Sequence, residues 1–410
     1  MSRARAEPAW LRVAIIAAAA VLLTGLFSTE IGDPDFWWHL KTGQYVREHR
    51  ALPVPDPFSY TSNSGAPAYP GEEQTRYFNL THEWLAQAML YCVYAVAGFP
   101  GVVVIRALLL ASFCAIVGIL AARRRGSFLA GLLAAFAAVP IATMYAADRP
   151  FLITFLLLAV FVAALEFRRG LWLLPPLAII WANCHGGFFL GWIVLAAYSV
   201  EAAILRRQGR APADAMRVWL VSASAVAASG LNPNGFRVLE TLIHYRESVL
   251  TSTLFEWKSP SLWGPPYTFD ILLFACALVL ALSWRKVRYA DWILFAAFAA
   301  AALSALRNVM LIAFLAPILI AAYFPWRIRF PRFSMAAALA LLVSGIAAGA
   351  VESRLFRFGV EAWRFPQGAC DFLLARKIAA PLFNTYGDGG YMIWRLWPLA
   401  ARVHRRARAQ

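Results

Sequence analysis

The hydrophobic positions of this chain fall into long, nearly unbroken runs. A helix needs about 20 apolar residues to cross ~30 Å of hydrocarbon. Eleven runs reach or approach that length: 11–28, 102–121, 127–146, 150–167, 171–184, 187–205, 216–230, 268–284, 289–306, 308–324 and 333–351. The pattern therefore predicts an all-α polytopic membrane protein, a bundle of about 11 transmembrane helices.

The basic residues between the runs predict the orientation of the bundle. With the N-terminus in the cytoplasm, the inside segments hold Arg3, Arg5, Arg12, Arg123–Arg125, Arg168–Arg169, Arg206–Arg207, Arg285–Lys286 and Arg327–Arg329. The short outside loops contain only Arg149 and Arg307. This is the positive-inside asymmetry of membrane proteins. We therefore predict a multi-pass protein of a bacterial inner (plasma) membrane, with a cytoplasmic N-terminus and an extracytoplasmic C-terminus.

Three long segments then face outward: 29–101 and 231–267 within a transmembrane domain of residues 1–351, and the C-terminal segment 352–410. The first has eight acids against four Arg/Lys. Within it, 35–49 and 82–97 carry aromatic residues suited to the headgroup zone, and we expect them to form helices on the membrane surface. Proline and glycine between positions 53 and 71 predict an irregular loop.

Composition agrees with a lipid-embedded protein, since 61% of the 410 residues are hydrophobic and 15% are charged. The net charge of +16 would suggest a nucleic-acid partner in a soluble protein. Here the basic residues follow the membrane topology, and no nucleic-acid partner is expected. The five cysteines have neither disulfide nor metal-ligand spacing.

The unusual polar residues all map to the predicted outer face. They are Asp33, Asp35, His39, His82, Glu83, Asp148, Arg149, Asn183, His185, Asn232, Asn234, Arg307 and Asn308. Charged groups near the bilayer are costly, and they tend to be paired or to line polar cavities. Their common side predicts one aqueous cleft at the outer surface.

Each of these residues also has a simpler structural interpretation. Asp33-Pro34-Asp35 suits a turn and a helix N-cap, and His82-Glu83 after a threonine also resembles a cap. Asp35 and His39 are four apart, which suits either an acid–histidine pair or a surface ion pair. Asp148-Arg149 fits a charge pair at the headgroup boundary. His185 in NCHGG has no histidine near it in the sequence, so a hydrogen-bonded interfacial histidine is favoured over a metal ligand.

The order of these features resembles the GT-C glycosyltransferases, which include protein mannosyltransferases, lipid A aminoarabinose transferases and oligosaccharyltransferase catalytic subunits. An acidic pair follows the first span, and a long outer loop with two surface helices comes next. The stretch HEWLAQAMLYCVYAVAGFPGVVVIRALLLA, which includes Arg106, is similar to their His-Pro-Pro-Leu helix and following Arg-Leu-Pro segment. Glu83-Trp84 stand where those families have two prolines, a departure that affects the placement of the second helix.

The chain more closely resembles a group of bacterial membrane proteins whose activity is itself inferred. Their elements D-x-D-x-W-W-H, H-E-W-L, R-P, N-x-H-G-G and N-P-x-G recur here, as does a terminal segment, FNTYGDGGYMIW at 383–394. Members of the group continue past the position of Trp397-Pro398, whereas this chain ends in HRRARAQ. We therefore expect its C-terminal segment to be incomplete.

The resemblance implies transfer of a sugar from a polyprenyl-phosphate donor to a lipid, glycan or protein acceptor. It places the carboxylate site at Asp33 or Asp35, with Asp35 preferred as base because His39 can tune it. Further catalytic candidates are His82, Glu83 and Asp148. Arg106, Arg149, Arg307 and His185 are candidates for the donor phosphate, because guanidinium matches phosphate geometry. Asp33 and Asp35 also allow Mg²⁺ or Mn²⁺ without requiring it.

Two other classes of function stay open. A lipid-linked glycan ligase, polymerase or flippase also carries outer arginine and histidine, but its large catalytic loop comes late in the chain, whereas the acidic loop here is the first. A non-catalytic membrane scaffold would also accommodate a cleft of acids and arginines. Clean alanine–leucine spans argue against a transporter, which needs broken or polar spans.

Overall fold

The computed structural model describes residues 8–59, 71–210, 212–240, 254–264, 267–326, 328, 330–331, 333–378, 381–398 and 403–404. In this part of the chain the helices are α1 Ala9–Phe27, α2 Phe36–His49, α3 Glu72–Thr81, α4 Trp84–Arg125, α5 Phe128–Met144, α6 Phe151–Phe167, α7 Leu174–Cys184, α8 Phe189–Arg207, α9 Ala215–Ser229, α10 Tyr267–Leu282, α11 Tyr289–Ser304, α12 Met310–Tyr323, α13 Ser334–Val351, α14 Gln367–Ala375 and α15 Gly389–Leu396. Short 3₁₀ turns lie at Leu171–Leu173, Gly186–Phe188, Phe255–Trp257, Trp284–Lys286, Leu306–Asn308 and Ala362–Arg364. The strands β1 Leu382–Phe383 and β2 Val403–His404 pair in parallel.

Each of the eleven predicted apolar runs contains a helix. Five helical stretches are long and apolar enough to cross a membrane: Ala9–Phe27, Glu72–Arg125, Gly186–Arg207, Leu306–Tyr323 and Ser334–Val351. The other six apolar helices have 10–17 residues. The prediction of a helical membrane protein is thus supported by five candidate spans, and the count of eleven stays a prediction.

The first outer segment has one more helix than its sequence predicts. Helix α2 matches the predicted surface helix 35–49, whereas α3 was not predicted. Helix α4 combines the second predicted surface helix with the following span. It is interrupted at Gly98, whose φ of 61° lies in the left-handed region, and Pro100 follows. Residues 60–70 of the predicted irregular loop lie outside the described residues.

Contacts between connections that are distant in the sequence group them at two ends of the helical bundle. At one end, which we call the basic end, Arg125 Nη1 donates to the Phe324 carbonyl at 2.8 Å, and Arg168 pairs with Asp214. At the opposite end, Asn183 Nδ2 donates to the Leu231 carbonyl at 2.8 Å. The connections predicted to lie inside and those predicted to lie outside are therefore separated in the fold.

The main apolar core lies between helices α4 to α12. A second apolar cluster joins α2 to the C-terminal segment, where the ring centroids of Trp37 and Tyr391 lie 4.8 Å apart. Ile31 forms a parallel bridge with Val360. The C-terminal segment therefore packs against the residues that flank Asp33 and Asp35. The approach is tight at Gly390, where an added Cβ atom would lie 2.5 Å from the Pro34 carbonyl oxygen.

Candidate functional site

Arg149 is the centre of an ion-pair cluster at the end of the bundle opposite the basic end. Its Nε and Nη2 donate to the two carboxylate oxygens of Asp33 at 2.6 and 2.9 Å. Its Nη1 lies 3.1 Å from Asp35 Oδ2 and 3.6 Å from Glu256 Oε2. Arg307 Nη1 lies 3.8 Å from the other oxygen of Glu256. We call these five residues the arginine–carboxylate cluster. They come from four separate connections of the fold.

A buried ion pair fixes this cluster to the bundle. Arg106 in α4 is 2% exposed, and its Nη1 lies 2.5 Å from Asp148 Oδ2. Its Nε donates to the Phe27 carbonyl at 3.3 Å, and its Nη2 donates to the carbonyl and hydroxyl of Thr29. One guanidinium therefore ties the connection that leads to Asp33 to the turn that contains Arg149. Burial raises the pKa of Asp148 to about 6, against the opposing effect of Arg106.

Beside this cluster, Glu83 is surrounded by three histidines from different elements. Its carboxylate oxygens lie 3.3 Å from His82 Nε2, 3.6 Å from His39 Nδ1 and 3.7 Å from His185 Nε2. Burial alone would raise the pKa of Glu83, but the facing His82, His39 and His185 together hold it well below its usual range. We call these four residues the glutamate–histidine cluster.

Hydrogen bonds to the far ring nitrogens assign the protons in this cluster. The Nδ1 of His82 lies 2.8 Å from the Phe78 carbonyl, which can only accept, so this nitrogen carries a proton. Its Nε2 then faces a carboxylate oxygen of Glu83 at 3.3 Å. By contrast, His185 Nδ1 accepts from the Gly187 N–H at 3.0 Å, which puts the single ring proton on Nε2, facing Glu83. Burial lowers the pKa of His185 to about 3.

Trp38 joins the two clusters. Its indole Nε1 donates to Asp35 Oδ1 at 3.1 Å, and its ring lies against His39 with centroids 3.7 Å apart. His185 also lies in the field of Arg307, which opposes its protonation. All ten catalytic and phosphate-binding candidates from the sequence therefore lie in one connected polar region: Asp33, Asp35, His39, His82, Glu83, Asp148, Arg106, Arg149, Arg307 and His185.

Asparagine side chains hold the turn between α3 and α4 in this region. Asn183 Oδ1 accepts from Trp84 Nε1 at 2.8 Å. Asn234 Nδ2 donates to Thr81 Oγ1 at 3.0 Å, and Asn232 Oδ1 accepts from the Asn234 N–H. These bonds fix the backbone on both sides of His82 and Glu83. Asn183 and Asn234 therefore position the turn that carries His82 and Glu83.

Several predicted partners are wrong. The side chain of Asp35 contacts Trp38 and Arg149, and His39 faces Glu83, so the acid–histidine pair at i,i+4 stays a prediction. Neither Asp35 nor Glu83 makes a side-chain cap hydrogen bond, although Asp33 Oδ1 accepts from the Asp35 N–H at 2.8 Å. The adjacent residues Asp148 and Arg149 pair with Arg106 and Asp33 instead of with each other.

His185 is hydrogen-bonded as expected, but it does have a histidine neighbour. The Thr154 hydroxyl, which accepts from Trp181 Nε1, lies 2.8 Å from His185 Nδ1. The ring centroids of His185 and His82 are 6.4 Å apart. Residues far apart in the chain therefore supply the partner that the sequence around His185 lacks.

The predicted metal ligands do not fit a metal ion as they are arranged. Arg149 occupies both oxygens of Asp33 and approaches one of Asp35, so a cation would have to displace the guanidinium. Within the described ranges, no group of three or more His, Cys, Asp or Glu side chains is arranged to hold a metal ion. The arrangement of Asp33 and Asp35 therefore does not fit Mg²⁺ or Mn²⁺.

The sequence analysis missed two residues of the region, Glu256 and Gln87. Glu256 lies in the second long outer segment, and its FEWKSP context has no helical or motif signal. Gln87 lies one turn after Glu83 in α4, and its Nε2 lies 3.1 Å from His39 Nδ1. The spacing of Glu83 and Gln87 on one helical face is the signal that would have found Gln87.

Comparison of the sequence with protein-family models and with curated proteins finds no match.

Proposed function

We propose that this chain is a GT-C-like membrane glycosyltransferase that transfers a sugar from a polyprenyl-phosphate donor to a lipid, glycan or protein acceptor. In this proposal the eleven apolar helices all cross a bacterial inner membrane, and the arginine–carboxylate cluster lies at the outer face. The proposal rests on the resemblance described above and on the chemistry of that cluster.

One observation carries the proposal. Carboxylates and guanidinium groups from distant parts of the chain meet at the same end of the bundle, around Arg149. Sugar transfer from a lipid phosphate needs both kinds of group, because the acceptor hydroxyl must lose a proton and the departing phosphate must be stabilised. An ion pair that only anchors a loop needs one cation and one carboxylate, whereas Arg149 faces three carboxylates.

Asp35 is the best-placed base for the acceptor hydroxyl. Its side chain is 21% exposed, against 11% for Asp33 and 10% for Glu83. Both oxygens of Asp33 accept from Arg149, which leaves it poorly placed to take a proton. In the proposed step the acceptor oxygen bonds to the anomeric carbon, the bond from that carbon to phosphate oxygen breaks, and the acceptor proton passes to Asp35.

Arg149 and Arg307 are the groups proposed for the departing phosphate. Both are partly exposed, at 24% and 32% of their side chains. Arg106 differs, because it is buried and bound to Asp148, Phe27 and Thr29. We therefore propose a positioning role for Arg106 instead of the direct phosphate contact expected from the resemblance.

The test is glycolipid and glycan profiling of cells that lack the gene, complemented with wild-type protein or with Asp35→Asn. The amide keeps the shape of the side chain but cannot take the proton, so transfer should fall by about 10²–10⁴-fold at normal membrane abundance. Asp214→Asn is the matched control. Asp214 is similarly exposed and pairs with Arg168 at the basic end, so its substitution should leave transfer unchanged. Full transfer by Asp33→Asn, Asp35→Asn and the double variant would overturn the enzyme assignment.

A further inference from the structure

Glu256 neither anchors the fold nor takes part in the proposed chemical step. It lies in the 3₁₀ turn Phe255–Trp257, which contains no buried residue, and its side chain is 44% exposed. One carboxylate oxygen faces Arg149 and the other faces Arg307, at 3.6 and 3.8 Å. Both separations exceed the 2.7–2.9 Å of a charge-assisted hydrogen bond between a cation and a carboxylate. The carboxylate therefore lies between two guanidinium groups without bonding tightly to either.

The two arginines are held in place independently of Glu256. Arg149 is fixed by its bidentate contact with Asp33. Arg307 lies over the Trp257 ring, with the guanidinium carbon 4.4 Å from the ring centroid, and the Leu306 N–H donates to the Lys258 carbonyl at 2.9 Å. Departure of the carboxylate would thus leave two preorganised guanidinium groups that face the same space.

The charge balance shows what that space can accept. Arg149 and Arg307 contribute two positive charges, and three carboxylates face them, those of Asp33, Asp35 and Glu256. A phosphate that arrived while Glu256 stayed in place would meet a net negative site. Without Glu256 the remaining charges cancel, and the phosphate oxygens can form bidentate contacts with guanidinium.

We propose that Glu256 is a displaceable counter-ion that occupies the binding place of a ligand phosphate between Arg149 and Arg307. This inference rests on the proposed function for the identity of the ligand, a lipid phosphate. The carboxylate occupies the space between the two arginines while the site is empty, and the phosphate replaces it on binding. Glu256 therefore competes with the ligand and weakens its binding.

The experiment is isothermal titration calorimetry of the purified full-length chain in detergent micelles, with farnesyl phosphate as the probe. Loose, partly exposed ion pairs contribute up to ~1 kcal/mol, which corresponds to a factor of about five in affinity. Glu256→Gln should therefore tighten farnesyl phosphate binding about fivefold, and Arg307→Met should weaken it. Glu352→Gln makes the same change of charge at an exposed pair with Arg354 and should have no effect.

Two further probes identify the ligand source. Farnesol tests the lipid chain without the phosphate, and inorganic phosphate tests the phosphate without the chain. A site for lipid phosphate predicts that Glu256→Gln tightens farnesyl phosphate but not farnesol. If Glu256→Gln tightens the binding of inorganic phosphate as much as that of farnesyl phosphate, the lipid-phosphate assignment is overturned.

Failure of this inference can be told apart from failure of the proposed function. If Arg307→Met weakens the binding of farnesyl phosphate and Glu256→Gln fails to tighten it, the phosphate place stands and the counter-ion role is refuted. If Glu256→Gln instead weakens the binding of farnesyl phosphate, Glu256 anchors the two turns, and the counter-ion role is refuted as well. The proposed glycosyl transfer is judged separately, by the glycan profile of Asp35→Asn.

Discussion

Replacement of Arg106 by methionine should be one of the most damaging single changes at the candidate site. Methionine keeps much of the length of the side chain but removes its charge and all of its donors. Asp148, whose side chain is 1% exposed, then loses its counter-ion. Its other oxygen, Oδ1, already has no hydrogen-bond partner among the described residues. Removing one partner of a buried ion pair typically costs about 3–5 kcal/mol of unfolding free energy.

A double-mutant cycle separates the ion pair from the other bonds of Arg106. Asp148→Asn leaves the guanidinium with its backbone carbonyls and should cost about 1.5–3 kcal/mol, the value of a hydrogen bond to a charged group. In the double variant no buried charge remains unpaired. We therefore expect its loss to be about 2–3 kcal/mol smaller than the sum of the two single losses.

Unfolding free energies can be measured by titrating the purified protein in mixed micelles with a denaturing detergent and following helicity by circular dichroism. The measurement belongs at about pH 8, where Asp148 is ionised, because its pKa lies near 6. Arg357→Met is the control, since Arg357 is 42% exposed and pairs with Glu30, so its loss should be at most ~1 kcal/mol. A cost below 1 kcal/mol for Arg106→Met, or strict additivity in the cycle, would refute the reasoning.

Three further outcomes are expected. Gly390→Ala places a Cβ against the Pro34 carbonyl and should lower transfer roughly 10²-fold, because it misplaces the acidic loop. Gly387→Ala is the control, since there is open space around Gly387, and it should leave transfer unchanged. Equal effects of the two substitutions would contradict this packing argument. In the folded protein, burial lowers the pKa of His185 from 6.5, so the unfolded chain takes up the extra proton first as pH falls. The free energy of unfolding should therefore be retained above pH 6.5 and should drop by about 2 kcal/mol at pH 5. His185→Asn should remove that drop, and an unchanged acid sensitivity would exclude His185 as its cause. Reporter fusions after residues 60, 250 and 380 should be extracytoplasmic and those after 125 and 208 cytoplasmic; a cytoplasmic signal at 60 would refute the topology.

The helical part of this fold follows directly from the sequence because hydrophobic length is a local property. The predicted run 216–230 is a helix at Ala215–Ser229, and the run 333–351 is a helix at Ser334–Val351. The helix Glu72–Thr81 escaped prediction because its sequence, EEQTRYFNLT, is mostly polar and follows a proline- and glycine-rich stretch. Its ends are fixed by tertiary contacts such as Asn234 to Thr81.

Most members of the polar region could be predicted from the sequence, but most of their pairings could not. Asp33 and Arg149 are 116 residues apart, and Arg106 and Asp148 are 42 apart. Such partners are selected by how helices pack, which sequence spacing does not encode. At Asp35 the carboxylate contacts Arg149, a partner that local spacing does not indicate.

Each end of the bundle holds both tight and loose ion pairs. At the basic end, Arg124 donates to both oxygens of Asp291 at 3.0 and 2.6 Å, and Arg288 donates to both oxygens of Glu166 at 3.3 and 3.0 Å. These groups bind each other closely between α4, α6 and α11, which is what a structural clamp requires.

At the opposite end, Arg149 and Arg106 pair as tightly with Asp33 and Asp148, whereas contacts of 3.3–3.8 Å join Glu83 to its histidines and Glu256 to its arginines. Loose and exposed pairs such as those of Glu256 add little stability, and they leave donors and acceptors that a ligand can engage. We therefore expect variants at Arg124 or Asp291 to reduce the amount of folded protein, and variants at Asp35 or Arg307 to reduce activity at unchanged abundance.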